Sequence, residues 1–574
     1  MHRLVPVTCS LFSIALLLTP AIHADDQAWL ARGEHGMVAA DSPYASEIGA
    51  SVLNIGGNAF DAAVATSLAL TVTRPQSTGI GGGGFMIAYV AREKRFIALD
   101  FREMAPAAAT AERYARLAAE RGKGPSPSIY GGNAIGVPGV LAGLSEINKR
   151  FGTRTLRELA QPAIRMARDG FAVDHDLHSS IAGAVAAFRQ RPEMKQRFGA
   201  LYELLTDGDE SLAEGALFRR PGLADALNKI AESGAGVLYD GPIAEAIVSA
   251  AQRAGGVLTR DDLRAYRAKE RSPIRATFRD YELVLMPPPS SGGIAIAETL
   301  NIIEAAARRG RFDAQRDSSH VLVEAMKHAF ADRARYLGDA DFADVPVAKL
   351  ISKEYAETLA ARILPDRTRS TADYGDAVPP PEDHGTSHFC VADKFGNVVA
   401  ITETVNGGFG SWVVAEPYGI VLNNQMDDFA TVRGEANLYG LIQSDANLVG
   451  PGKRPLSSMS PTIVLKDGKP VLVVGAAGGP RIITSVLQVA LHVMNGRPLD
   501  EAIAALRLHH QWMPNTLFFN TAPPAALADN LKSRGHVLSE KRRSAVVQAI
   551  QFLADGKMLG ATDPHRHSKP VGVP

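Results

Sequence analysis

Residues 385–404 read Gly385-Thr386-Ser387-His388-Phe389-Cys390-Val391-Ala392-Asp393-Lys394-Phe395-Gly396-Asn397-Val398-Val399-Ala400-Ile401-Thr402-Glu403-Thr404. Two apolar, β-prone runs, His388–Asp393 and Asn397–Thr402, flank Lys394-Phe395-Gly396, a hairpin signal. Just upstream, the stretch from about Pro365 to Gly385 holds Pro379-Pro380-Pro381, several acids and almost no apolar residues, which predicts an exposed linker. A glycine therefore ends a linker and a threonine opens a strand. If the chain were cut between Gly385 and Thr386, Thr386 would carry a hydroxyl nucleophile and a free α-amine on one residue. An unperturbed α-amine titrates at about 7.7–8.0, close to operating pH, and can act as the general base that a threonine hydroxyl needs. Alone, a glycine–threonine pair is more often an ordinary entry into a strand.

Downstream, two further hairpins are expected: Pro461–Lys466 with Val471–Gly475 around Asp467-Gly468, and Val546–Leu553 with Met558–Ala561 around Asp555-Gly556. A helix, Ile482–Val493, lies between them. Upstream, Pro43–Ile55 reads as a helix closed by Gly56-Gly57, Asn58–Val72 as a buried Ala-rich helix, and Phe85–Val90 as a strand. The stretch from Tyr114 to about Asp280 reads as mainly helical, and Ile302–Arg309 and Val321–Tyr336 continue the helices. Helices and hairpins in one chain predict a layered α+β fold with antiparallel sheets packed against helices.

The 574 residues carry 61 basic and 61 acidic side chains. That balance gives no electrostatic footprint for nucleic acid or an anionic membrane. At the N-terminus, His2-Arg3, the apolar run Leu11–Leu18 and Ala21-Ile22-His23-Ala24 form the pattern of a secretory leader, with the cut expected after Ala24. Cys9 precedes the apolar run, the wrong order for a lipid anchor. Only Cys390 then remains, so no internal disulfide is expected. A periplasmic or secreted protein without a membrane anchor follows as the expectation.

Some motifs mislead. Gly79–Gly84 matches G-x-G-x-x-G, but a helix precedes it and a strand follows, the reverse of a dinucleotide site, so a tight backbone crossing is the better reading. His509-His510 invites a metal reading. Placed on a helix, adjacent residues point about 100° apart and serve one ion poorly. Asp563, His565 and His567 lack a second ligand cluster, and no metal is expected at either place.

The residues around the junction change the weight of the glycine–threonine pair. Thr386-Ser387-His388, Asp393-x-x-Gly396-Asn397, Asn423–Phe429, Lys453–Thr462 and Gly478-Gly479-Pro480-Arg481 closely resemble the γ-glutamyltranspeptidase family of N-terminal-nucleophile hydrolases. Gly56–Ala63, Pro75-Gln76, Gly81–Phe85, Asp100–Pro106, Pro287–Gly293 and His509–Trp512 match as well, in order, from about Gly33 to Asp563. The resemblance implies a four-layer αββα sandwich. It also implies an exported proenzyme that cuts itself at Gly385-Thr386 into a large chain, 25–385, and a small chain, 386–574. These would stay together as a heterodimer. The implied activity is attack of Thr386 on the γ-amide of glutathione and related γ-glutamyl compounds, with transfer to water, amino acids or peptides. No cofactor is implied.

By position, Thr404 matches the threonine that hydrogen-bonds the nucleophile, and Gly478 and Gly479 match the oxyanion hole. Arg102 matches the arginine that grips the substrate α-carboxylate, with Ser457 and Ser458 as hydroxyl donors. Asn406, Gln425 and Asp428 match the acceptors for the α-ammonium, and Tyr439 a lid tyrosine in the loop Ala430–Gly452. The chain departs from the family pattern at Glu403, at Gly407-Gly408, at Ala477 and Pro480, and at His565. Two other readings exist: an acylase of the same architecture for glutaryl substrates, and a non-processing binding protein. Retention of Asp428 with Arg102 argues against the first, and intact Thr386, Thr404 and Gly478-Gly479 argue against the second.

Overall fold

The computed structural model describes residues 28–574 apart from 123, 314, 376–384, 435, 436, 440 and 442. The leader and residues 376–384 of the predicted linker lie outside the described residues. Two seven-stranded sheets form the centre, and every neighbouring pair of strands in them is antiparallel. The first runs Lys569–Val573, Gly36–Ala40, Ser387–Asp393, Val398–Thr404, Gly83–Val90, Arg95–Phe101, Lys269–Arg271. The second runs Leu30–Gly33, Met558–Thr562, Val546–Phe552, Lys469–Ala477, Thr462–Lys466, Tyr281–Leu285, Ile274–Phe278.

The sheets pack face to face through alternating residues, as the two-residue period of a strand requires. Met37, Ala39, Phe85, Ile87, Cys390, Ala392 and Ala400 meet Val473 and Ile550 between the sheets. Val38, Ala40, Met86, Ala88, Val391, Val399 and Ile401 face the other way, onto a helical layer. The helices Arg481–Met494, Gly292–Arg308 and Ser318–Tyr336 cover the second sheet. The result is the αββα sandwich that the sequence implied.

All three predicted hairpins are present, each within about two residues of its expected bounds. The sequence reading missed the strands Leu30–Gly33, Gly36–Ala40, Arg95–Phe101, Tyr281–Leu285 and Lys569–Val573, and it ran the helical stretch across the strands Lys269–Arg271 and Ile274–Phe278. His509 lies in the short strand Leu508–His509, not on a helix.

The helix Ala59–Thr73 is buried along its whole length, which its small residues allow. It is capped by Asn58, whose side chain accepts from the Phe60 and Asp61 amides, while Asp61 accepts from the Asn58 amide. Its first amide is satisfied from across the molecule: Ala59 N–H donates to Asp393 Oδ2 over 2.7 Å. Asp393 also accepts from the Phe395 and Asn397 amides, at 2.9 Å each, and from Asn397 Nδ2 at 2.8 Å. One buried carboxylate thus closes the hairpin turn and anchors the helix N-terminus, where the helix dipole favours negative charge. Replacing Asp393 by Ala strands these donors. We expect a loss of about 2–4 kcal/mol, from two or more bonds to a charged acceptor, read as a drop in the denaturation midpoint. A midpoint within error of the parent contradicts this role.

Candidate active site

Thr386 leads into the third strand of the first sheet, between Gly36–Ala40 and Val398–Thr404. The hairpin register pairs Ser387 with Glu403 and His388 with Thr402. Thr386 therefore stands beside Thr404 at the end of the ladder. Its Oγ1 lies 3.3 Å from Thr404 Oγ1, and both hydroxyls donate to the Gly385 carbonyl, at 2.6 Å and 2.8 Å. Thr404 Oγ1 also accepts from the Asn406 amide at 2.7 Å. Thr386 itself is only 6% exposed.

The glycine run passes beneath this pair. A Cβ on Gly82 would fall onto the Thr404 carbonyl, and one on Gly81 onto the Val421 carbonyl. The run is a close backbone crossing, and the strand Gly83–Val90 follows it.

A single pocket gathers Arg102, Thr386, Thr404, Asn406, Asp428, Tyr439, Ser457, Ser458 and Gly479. These residues span more than 370 positions of sequence. Gln425 stands behind the pocket wall and donates from Nε2 to Asp428 Oδ2 at 2.7 Å, while its buried Oε1 has no hydrogen-bond partner. Asn406 Nδ2 donates to the Asn424 carbonyl at 3.1 Å, and the Tyr439 hydroxyl donates to the Asn406 carbonyl at 3.0 Å. That last bond ties the loop around Tyr439 to the strand end carrying Thr404. Gly478 and Gly479 have φ of 135° and 58°, and turn the strand Lys469–Ala477 into the helix Arg481–Met494.

Ser457 and Ser458 are held from below by the Pro287–Gly293 segment. The Ser457 amide donates to the Pro289 carbonyl, and the Ser291 amide and hydroxyl both donate to the Ser457 carbonyl, at 2.7 and 2.6 Å. The serine motif and the proline-rich motif are therefore one unit.

Charge is concentrated here with little water. Arg102 and Asp428 form a direct ion pair, and Arg102 Nε donates to the Pro455 carbonyl at 3.1 Å. Burial pushes the Asp428 carboxyl above its ordinary range, and the Arg102 guanidinium opposes that push most. Glu103 lies 3.7 Å from the same guanidinium, but burial raises it to about 8, so it is mostly protonated at neutral pH. Arg333 was not singled out from the sequence. It projects into the pocket from the last turn of Ser318–Tyr336, donates from Nε to Ser291 Oγ at 2.9 Å, and leaves its buried Nη1 without a hydrogen-bond partner. Burial lowers it to about 10, still cationic. Two guanidiniums against one carboxylate leave the pocket net positive, suited to a ligand carrying a carboxylate and an ammonium together. No sequence signal marks Arg333, because a basic residue in a last helical turn looks like an ordinary partner of the helix dipole.

The departures from the family pattern fall mostly outside this pocket. Glu403 points to the helical face and accepts from Ser67 Oγ at 2.5 Å and Thr78 Oγ1 at 3.3 Å. Gly407 donates its amide to Asn424 Oδ1. Pro480 lines the pocket and leads into the helix Arg481–Met494, whereas Ala477 ends its strand. The His565 amide donates to Asp563, and the neighbouring Arg566 pairs with Asp176 at 2.8 Å.

The histidine pair separates. His509 faces Thr484 and Gln511, at 2.9 Å each, and His510 Nδ1 accepts from the Trp512 amide. Asp563 pairs with Arg507 at 2.5 Å. Among the described residues, one buried group has ligand atoms close enough for a metal: His320, Glu324 and His536. Hydrogen bonds account for it, since His320 contacts His536 and the Leu364 carbonyl, at 2.8 Å each, and the Lys327 ammonium sits 3.2 Å from Glu324, where a second cation is unfavourable.

The gamma-glutamyltranspeptidase family model matches residues 45–573. The chain belongs to the gamma-glutamyltranspeptidase family. It is 41% identical over 535 residues to the glutathione hydrolase proenzyme of Escherichia coli K12, covering 93% of this chain and 91% of that one. It is 36% identical to the acylase ACY 1 proenzyme of Pseudomonas sp. V22, over 95% of this chain and 94% of that one. The crystal structure of a cephalosporin acylase from Bacillus halodurans superposes with a TM-score of 0.82 at 27% identity, covering 98% of this chain and 99% of that one. The architecture is that of the N-terminal-nucleophile hydrolases, and this family member is an enzyme of that hydrolase and acyltransferase type.

Glu403, the one acid inserted between Thr402 and Thr404, has a measurable consequence. Burial raises its carboxyl to about 7, against the hydrogen bonds from Ser67 and Thr78. The folded state therefore holds this proton more tightly than the unfolded chain. Stability from this group is complete below about pH 4.5 and is lost as pH rises through 7. Glu403→Gln removes the titration and keeps an acceptor. Its melting temperature relative to the parent should be higher at pH 8 than at pH 5. An offset independent of pH contradicts a buried, titrating Glu403.

Proposed function

We propose that this chain is an exported glutathione hydrolase and γ-glutamyltranspeptidase, matured by cleavage of its own Gly385–Thr386 bond. The observation that carries the proposal is the Thr386 hydroxyl set against the Gly385 carbonyl, with the Thr404 hydroxyl donating to the same oxygen. Thr386 Oγ1 attacks the Gly385 carbonyl carbon. A C–O bond forms, the C–N bond breaks, and the hydroxyl proton ends on the released amine. Water then adds to the ester carbon and expels Thr386 Oγ1, leaving a Gly385 carboxyl and an N-terminal Thr386. The chains 25–385 and 386–574 interleave in both central sheets, which supports their staying together as a heterodimer. The leader pattern at residues 1–24 supports a periplasmic or secreted location, and no helix among the described residues is long and apolar enough to cross a membrane.

In turnover, the freed α-amine takes the Thr386 hydroxyl proton, and the hydroxyl attacks the γ-carbonyl of a γ-glutamyl amide. Amide N–H groups at Gly478 and Gly479 stabilise the oxyanion, and the proton passes to the leaving amine. Arg102, Ser457 and Ser458 hold the α-carboxylate. Asp428, Gln425 and Asn406 hold the α-ammonium, and the unpartnered Gln425 Oε1 is suited to that task. Tyr439 closes the pocket. Water resolves the acyl-enzyme to glutamate, or an amino acid or peptide takes the acyl group. Arg102 and Asp428 exchange their mutual bond for bonds to the two ends of the substrate.

Two experiments test this reading. Thr386→Ala should run as one uncut chain on denaturing electrophoresis and show no γ-glutamyl transfer, whereas the parent runs as two. Efficient cleavage of the variant at the same bond would sink the self-cleavage assignment. Asp428→Asn should process normally and lose tenfold or more in kcat/KM on γ-glutamyl anilide, from a charge-assisted contact of about 1.5–3 kcal/mol. It should lose less on a glutaryl anilide, which has no ammonium. Equal losses on both donors would remove Asp428 from ammonium recognition.

A further inference from the structure

Resting on the reading above that Tyr439 closes the donor pocket, we propose that Gln511 is a positioning residue for turnover: it ends a buried hydrogen-bonded strut that fixes Tyr439 against the helix following Gly478-Gly479. His509–Trp512 do not line the pocket, yet all four residues are buried. Tyr439 does line it, and Gln511 Nε2 donates to the Tyr439 carbonyl and to the Met513 carbonyl, at 3.2 Å each.

The strut has one consistent assignment of protons. Both groups facing Gln511 Nε2 are carbonyls, so the amide nitrogen must point at them and Oε1 must point away. Oε1 then faces His509 Nε2 at 2.9 Å. An amide oxygen only accepts, so His509 carries its proton on Nε2. His509 Nδ1 is left as an acceptor and receives the Thr484 hydroxyl at 2.9 Å. Burial lowers His509 to about 3, with the Arg481 charge adding to the shift, so the imidazole stays neutral and keeps this tautomer around neutral pH.

Thr484 sits in the first turn of the helix Arg481–Met494, and Gly479, Pro480 and Ile482 just before it line the pocket. The strut Thr484–His509–Gln511–Tyr439 therefore joins two walls of one pocket. The other polar contacts of Tyr439 run elsewhere. Its hydroxyl donates to the Asn406 carbonyl and its amide to Asn437 Oδ1, at 3.0 Å each. Asn437 belongs to the same loop, so Gln511 ties the Tyr439 main chain to an element outside that loop. Without the Gln511 amide, the hydroxyl end stays tethered while the main chain loosens, and the ring no longer has a fixed seat over the donor. Thr386, Thr404 and the glycine N–H groups do not touch the strut, so the loss falls on donor binding rather than on the chemical step. The Gln511 segment is also held by Trp512, whose Nε1 donates to the Thr371 carbonyl at 3.1 Å.

The experiment compares the full-length parent with Gln511→Met, Tyr439→Ala and the double variant. Methionine keeps the volume and removes the amide. After maturation, KM and kcat are measured on a γ-glutamyl anilide. Gln511→Met should raise KM about three- to tenfold, the worth of a buried hydrogen bond, with kcat within about twofold. It should mature fully and melt within a few degrees of the parent. Adding Gln511→Met to Tyr439→Ala should change KM by less than about twofold, because the ring that the strut positions is already gone. An unchanged KM in Gln511→Met overturns the proposal. So does a full multiplicative effect in the double variant, which would place the action of Gln511 elsewhere, or a loss of maturation or of the melting transition, which would make Gln511 part of the fold at large. A parental KM in Tyr439→Ala would instead overturn the underlying reading of Tyr439, so the two failures are distinct.

Discussion

The antiparallel pairing of Ser387–Asp393 with Val398–Thr404 is the constraint on which the rest depends. A strand pair places opposite residues about 5 Å apart, and here the ladder ends with Thr386 and Thr404 side by side at its mouth. Everything around the pair fixes that register. Asp393 closes the turn at the far end and anchors a fully buried helix. The glycine crossing at Gly81–Gly82 lets the Thr404 and Val421 carbonyls come close beneath the site. A slip of one residue would turn every side chain to the opposite face, so Thr404 would leave the pocket and the residues packed between the sheets would be turned onto the helical layer. Stability and site geometry are thus specified by the same contacts.

The second theme is charge kept away from water. Buried ion pairs are weak contributors to stability, because desolvation offsets much of their attraction. Arg102, Asp428 and Arg333 are therefore hard to explain as structural groups. Arg333 Nη1 and Gln425 Oε1 are buried without hydrogen-bond partners, a cost that a ligand bringing its own carboxylate and ammonium would offset. Glu103, held near pH 8, adds little negative charge at neutral pH and leaves the pocket cationic.

Much of this was legible in the sequence, and the failures have physical causes. The hairpins announced themselves through Gly396, Gly468 and Gly556, each at positive φ in a turn. The missed strands Gly36–Ala40 and Lys569–Val573 are short, and they pair with partners hundreds of residues away or at the opposite chain end. No local turn marks such pairings. Lys269–Arg271 is three polar residues at a sheet edge, which no hydrophobic alternation could reveal. His509-His510 was read with helical geometry, and the strand Leu508–His509 sends the two rings to different partners. The pocket residues were found by their motifs rather than by periodicity. Arg333 escaped because only burial and the Ser291 contact distinguish it from an ordinary helix-end arginine.

The central claim is that Thr386, freed as an N-terminus, carries the acyl group. Its most direct test is mass spectrometry of the enzyme mixed with a γ-glutamyl anilide and quenched in acid during steady-state turnover. The account predicts a small chain beginning at Thr386 that carries one γ-glutamyl group in ester linkage to that residue. An adduct on another residue, or turnover by a chain still joined at Gly385–Thr386, would contradict it.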